Sequence, residues 1–236
     1  MDMTNTRRRN RTKTDTSSLY MDAVEELFIR NGYEGTSIGG IAERSGAHKG
    51  TLHHYWGNKE ALFRAVCERR FGPIQAVQME RLQACAQGLA DGRAVMLEEI
   101  LRALIEPPML AAAEDEARRQ TTRMLYGRAL TEPSAVVTAI MADIFREASQ
   151  LFVDLLRAQC PQLSSSAFYW RLNCALGAFI FSQSFGDRLE PFFDEKSQPV
   201  DWSFVVDQIV GFIALGFGSA PATAATPAKS RRRKSP

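Results

Sequence analysis

The common catalytic and metal-binding side chains are sparse in this sequence. Its only histidines, His48, His53 and His54, fall in one short stretch. Consecutive residues point to different faces of a helix, so His53 and His54 make a poor metal pair. Cys67, Cys85, Cys160 and Cys174 stand far apart, without the paired spacing of zinc or redox sites. Each lies in a helical pattern, and all four are expected to be reduced, small apolar side chains. There is no Gly-x-Ser-x-Gly, no His-Glu-x-x-His, no phosphate loop and no dinucleotide fingerprint. Neither an enzyme nor a resident cofactor or metal is expected. The late apolar run Val205 to Phe217 is broken by Asp207 and Gln208 and is shorter than the roughly 20 residues of a membrane span. The first arginines are not followed by an apolar core, so no secretion signal is expected and the cytoplasm is the expected location. Strand-like alternation is missing as well, which leaves an all-α chain.

Apolar residues instead recur three and four positions apart through most of the 236 residues. Glycine and proline punctuate them. Asn31-Gly32 and Ser45-Gly46 read as helix ends, because glycine accepts the left-handed geometry found there. Gly72-Pro73 is expected to interrupt or bend a fourth helix, and Pro107-Pro108, Glu132-Pro133 and Cys160-Pro161 to mark later boundaries. Long helices are predicted near Ser134–Gln159, Ser165–Phe185 and Asp201–Phe217. The net charge of +2 is unevenly spread: basic residues crowd Arg7 to Lys13 and Arg231 to Lys234. Such runs attract polyanions without reading sequence, or are simply solvated tails. The expected division is a basic disordered arm at 1–15, a helix-turn-helix domain at 16–60, a helical ligand-binding and dimerisation domain at 61–218, and a disordered basic tail at 219–236.

The stretch from Tyr20 to Val66 is the most informative. Ala23, Val24, Leu27 and Phe28 give a first helix one buried face, with Thr16 or a neighbour as its cap. Thr36-Ser37 starts a short second helix, Lys49 to Trp56 forms a third, and Asn58 caps a fourth beginning at Lys59. Two short helices joined by a glycine turn and propped by a longer one form a helix-turn-helix, whose second short helix enters the major groove. The run AVEELFIRNGYEGTSIGGIAERSGAHKGTLHHYWGNKEALFRAV resembles the signature of the TetR family of bacterial regulators. The resemblance implies a homodimer that binds double-stranded operator DNA and leaves it when a small molecule enters the second domain. It places DNA contacts at Ser37, Lys49, Gly50, Thr51, His53, His54, Tyr55 and Lys59, with Lys59 pinning a phosphate, and it leaves Leu52 and Trp56 in the core. Three positions depart from the family. Gly39-Gly40 replace an arginine and an acid, which costs the helix roughly 1 kcal/mol each and either lets backbones approach or weakens the helix, the second being expected. His48 replaces a serine cap. His53 replaces a phosphate-contacting tyrosine, and its charge depends on pH.

Beyond Gly72, the segments RMLYGRALTEPSAVVTAIMADIFREASQLFVDLLRAQCPQL and AFYWRLNCALGAFIF resemble the effector domain of the PsrA type of TetR regulator. That implies a small, elongated apolar ligand, a fatty acid or acyl-CoA. Met109, Arg123, Tyr126, Phe145, Phe152 and Phe179 are the candidate ligand contacts, with core packing as the bland reading of each and an ion pair as that of Arg123. The helices at 134–159 and 165–185 carry apolar residues on more than one side, so a second buried side is expected. A twofold partner or the terminal helix would cover it. The expected function is thus a sequence-specific transcriptional regulator, a repressor released by ligand. The alternative is a ligand-independent architectural DNA binder of the same fold, with a filled core in place of a cavity.

Overall fold

The computed structural model describes residues 3–46, 48–110, 116–185, 192 and 200–218, with side chains from Thr16 to Gln183 and beyond Val200. Among the described residues there are nine helices and no strand: α1 (Met3–Gly35), α2 (Ile38–Ser45), α3 (Lys49–Trp56), α4 (Lys59–Ala90), α5 (Leu97–Met109), α6 (Glu116–Thr131), α7 (Ala135–Gln159), α8 (Ser165–Phe185) and α9 (Trp202–Gly218). The 219–236 tail lies outside the described residues.

The first four helices form the headpiece and the bridge out of it. Helix α1 starts at Met3, so Thr16 lies inside it and is no cap. The stretch expected as a disordered arm is its opening turns, rich in arginine and without glycine or proline to stop a helix. Gly32, at φ 70°, breaks α1 near its end as its sequence predicts. Tyr20, Val24 and Phe28 from α1, Ile41 from α2, Leu52 from α3 and Leu62 and Phe63 from α4 form one buried core.

Helix α4 is the longest element described in full side-chain detail. Phe71, Ile74, Gln78, Leu82 and Cys85 recur at three and four along its buried stripe. Of the interruption or bend expected at Gly72-Pro73, the interruption does not occur, and α4 runs through Pro73. Phe71 and Ile74 on either side are packed in the core, which holds the helix together despite one missing hydrogen bond. Helices α5 and α7 pack on α4, α6 meets it through Phe71 and Tyr126, and α8 packs on α6. Within the single chain α7 is buried on its core-facing side. Its buried residues, from Val137 to Leu156, are met by this chain's own core, with Val136, Ile144 and Leu151 at the margin. Helix α9 packs on α5 and α8, yet it leaves an apolar surface open. Tyr169, Trp170, Leu176 and Phe181 on α8 and Phe204, Phe212 and Leu215 on α9 remain exposed. A shallow apolar groove of about 120 Å³ runs between them, past Cys174 and Phe212.

Candidate nucleic-acid interface

Helix α3 turns one face inward and one out. Leu52 is fully buried. Lys49, Gly50, His53 and His54 are exposed, with Thr51 and Tyr55 half-buried beside them. The helix begins at His48 without a side-chain cap, as the lost serine implies. Tyr20 supplies what the cap does not: its hydroxyl donates to the His48 carbonyl at 2.7 Å. The same ring meets Trp56 edge-on at 5.8 Å. One buried tyrosine therefore holds both ends of the exposed helix. Trp56 is half-buried against the core, as expected.

Ser37 caps α2, its Oγ accepting from the Gly40 amide at 3.0 Å. The hydroxyl proton is left to donate outward. A Cβ at Gly39 or Gly40 would first meet the Lys49 ammonium or the Ser37 hydroxyl, both side-chain groups, so these glycines do not serve a close approach of backbones. Arg44 on α2 reaches back to Glu26 of α1, its Nε donating at 2.6 Å, and that bond holds the Glu26 carboxyl below its usual range. His53 Nδ1 lies 2.8 Å from the Gly57 carbonyl. A carbonyl only accepts, so Nδ1 carries the proton and Nε2 stays available at the surface. The Lys59 ammonium donates to the Tyr33 carbonyl at 2.9 Å and sits 4.0 Å over the Tyr33 ring. It is braced across the headpiece. Among the described residues no cluster of histidine, cysteine or carboxylate side chains has the makings of a metal site.

Behind this face the headpiece is tied to the rest of the chain by charge. Glu25 of α1 is buried, and both its oxygens accept from Arg70 at 2.6 Å, with Arg69 adding a further bond. Arg69 also holds Asp22 at 2.8 Å. A polar cleft of about 370 Å³ opens beside them between α1, α4 and α6. Further along, Arg128 and Glu132 at the end of α6 pair at 2.9 Å and press on Gly32. Any Cβ there would strike both groups, so glycine meets two demands at once: a positive φ and room for α6. Neither contact was read from the sequence. Glu25 looks like one more surface acid of α1, and the Gly-Arg-x-Leu-x-Glu-Pro motif that holds Arg128 and Glu132 gives no sign of Gly32.

The candidate ligand contacts divide. Tyr126, Phe145 and Phe179 share a cluster of rings with Phe71, at centroid separations of 5.2 to 6.2 Å. Met109 and Phe152 are buried in the same core. Arg123 is spoken for: it binds Glu116 at 2.7 Å and lies 4.1 Å over the Trp202 ring. Burial raises the Tyr126 hydroxyl well above the ordinary phenol range. Sequence reasoning missed two buried amides in this core, Gln78 and Gln183. The signal was present, since Gln78 falls on the apolar stripe of α4 and Gln183 one turn beyond Phe179.

Comparison with known proteins agrees with this geometry. Residues 21–66 match the family model for bacterial regulatory proteins of the tetR family. Residues 102–216 match the one for the tetracyclin repressor-like C-terminal domain. The HTH-type transcriptional repressor ComR of Escherichia coli (strain K12) is 41% identical over 61 residues, which is 26% of this chain and 29% of that protein. The match thus spans under a third of the relative's length. Among solved structures, the transcriptional regulator FadR from Bacillus subtilis, in complex with stearoyl-CoA, aligns at TM-score 0.54 and 14% identity, over 84% of this chain and 98% of that one. A TetR-family regulator from Bordetella parapertussis aligns at 0.53 and 17%, over 84% and 93%. At these identities the likeness is one of fold. With both of its domains matched and the helix-turn-helix followed by a larger helical domain, the chain belongs to the TetR family of transcriptional regulators.

Proposed function

We propose that this chain is a cytoplasmic, homodimeric repressor that docks two copies of α3 on a near-palindromic operator and is released when an apolar ligand enters the second domain. The observation that carries the DNA reading is α3 itself, exposing Lys49, Gly50, His53 and His54 beside Thr51 and Tyr55 while Tyr20 clamps both its ends. Ser37 and Lys59 flank that helix as phosphate contacts. Residues 16–60 are the DNA-binding unit and 61–218 the sensor and dimer unit. The open apolar surface on α8 and α9 is the face for a second copy.

Release follows from geometry. Half-sites lie one helical turn apart, roughly 34–36 Å, or a multiple of it. A ligand that tilts α4 changes the spacing of the two recognition helices. It need only prefer the non-binding state by a few kcal/mol. A fatty acid or acyl-CoA is the class that the neighbouring structures support, one of them being solved with stearoyl-CoA. The second reading, an architectural DNA binder without an effector, draws on the ring cluster of Phe71, Tyr126, Phe145 and Phe179, whose members pack directly on one another. Footprinting on the DNA flanking the gene, followed by titration with acyl compounds, aromatic acids and sterols, separates the two. Protection lost on adding one class supports the repressor. Protection that no class alters, together with a filled core in the DNA complex, supports the architectural protein.

A further inference from the structure

Helix α5 ends on two successive prolines, and each removes a helix hydrogen bond. Pro108 has no N–H to offer the Leu104 carbonyl one turn behind it. Gln78, on the buried stripe of α4, fills that gap: its Nε2 donates to Leu104 O at 2.7 Å. Gln183 of α8 serves the next turn, its Nε2 reaching the Pro108 carbonyl at 3.4 Å. Because carbonyls only accept, both amides are fixed in orientation. Each turns its nitrogen to α5 and its oxygen away, and neither oxygen has a hydrogen-bond partner among the described residues. Gln78 is 1% exposed and Gln183 6%, so bulk water does not serve them.

These two acceptors share a neighbourhood. Leu104 and Pro108 are one turn apart, about 5.4 Å along the helix axis. The Tyr126 ring lies 6.2 Å from that of Phe179, one turn before Gln183 on α8. A buried acceptor left unpaired is costly and rare. Two of them beside a cluster of aromatic rings mark a place that receives a donor from outside the chain.

We propose that Gln78 and Gln183 form the polar end of the effector site and accept from a neutral ligand head, a hydroxyl or an amide N–H, carried on an apolar body. This rests on the effector reading above and narrows it, keeping the apolar body of the ligand and setting aside the free fatty acid named there. A carboxylate head does not fit, because two amide oxygens repel it and the buried Arg123 is already held by Glu116 and Trp202.

Three probes of equal chain length test this: 1-dodecanol, dodecanamide and dodecanoate, followed by tryptophan fluorescence of the full chain and by release from its DNA. The alcohol and the amide are expected to bind at least about tenfold tighter than the carboxylate. Gln183→Leu, at the longer of the two amide bonds, is expected to erase that preference while leaving the melting temperature close to wild type. Gln183→Met serves if the leucine variant does not fold. Equal affinities, a preference for dodecanoate, or a preference untouched by either variant overturns the anchor but leaves the effector reading standing. So does a ligand-bound crystal structure in which a water alone occupies both oxygens. Binding by none of the three overturns the anchor, and the effector reading then stands or falls on the wider titration described above.

Discussion

A single hydroxyl carries much of the placement of the recognition helix. Tyr20 is fully buried and donates to the carbonyl that opens α3, at the position where the histidine cap makes no side-chain bond. Tyr20→Phe keeps the ring against Trp56 and removes only that bond. It should cost about 1 kcal/mol of stability and weaken operator binding severalfold, as thermal melts and gel-shift titrations will read. A phenylalanine variant with wild-type affinity would mean that α3 needs no such clamp. Lys59 has two duties to separate. Its ammonium braces the Tyr33 carbonyl in the free protein, and on DNA it is proposed to hold a phosphate. Lys59→Ala should therefore lower the melting temperature slightly. It should also weaken binding on all operator sequences, with a salt slope shallower by about one phosphate. A lower melting point with an unchanged slope leaves it as a brace alone.

Among the elements, the boundaries set by backbone chemistry were legible. Gly46, Ser37, Asn58 and the Cys160-Pro161 step fell where glycine geometry, side-chain caps and the missing proline N–H put them. What sequence could not supply was anything decided between elements. Pro73 looked like a break because its lost bond is local, whereas the packing of Phe71 and Ile74 that overrides it is not. Arg123 was legible as an ion-paired arginine, but not which groups would hold it, Glu116 and the Trp202 ring. The residues proposed to face DNA came from the family signature, most of them on the one short helix α3. The buried amides were not legible, since their partners, the Leu104 and Pro108 carbonyls, lie 26 and 75 positions away. The α1–α2 pair yields a pH prediction. Arg44 holds the Glu26 carboxyl below the ordinary glutamate value of 4.5. A depressed carboxyl contributes stability that is present above the unfolded value and is lost as pH falls through the folded one. Glu26→Gln should thus be less stable than wild type at neutral pH. The gap should close below pH 4.5. Chemical denaturation at neutral and acid pH measures it, and a gap that persists undiminished in acid would rule out this pair as its source.

At the scale of the molecule, the open surface on α8 and α9 decides whether one chain suffices. Phe212 is 69% and Leu215 77% exposed, an arrangement that suits a covering copy better than solvent. Leu215→Glu should change the stability of the lone chain by no more than about 0.5 kcal/mol, being a surface position. It should still raise the dimer dissociation constant more than about tenfold by burying a charge in the interface. Sedimentation velocity across a concentration series reads this, and a variant that dimerises like wild type places the interface elsewhere. The Glu25 knot has a bearing on building hybrid regulators. Cutting at residue 60 to graft this DNA reader onto a foreign sensor would strand a buried carboxylate without Arg69 and Arg70, and would set Gly32 facing an unmatched surface in place of Arg128 and Glu132. A splice placed beyond Arg70 would carry the first knot along, but the second arrives only with α6. The reader is therefore not an interchangeable cassette, and transplants of it should regain DNA binding in proportion to how many of these arginines travel with it.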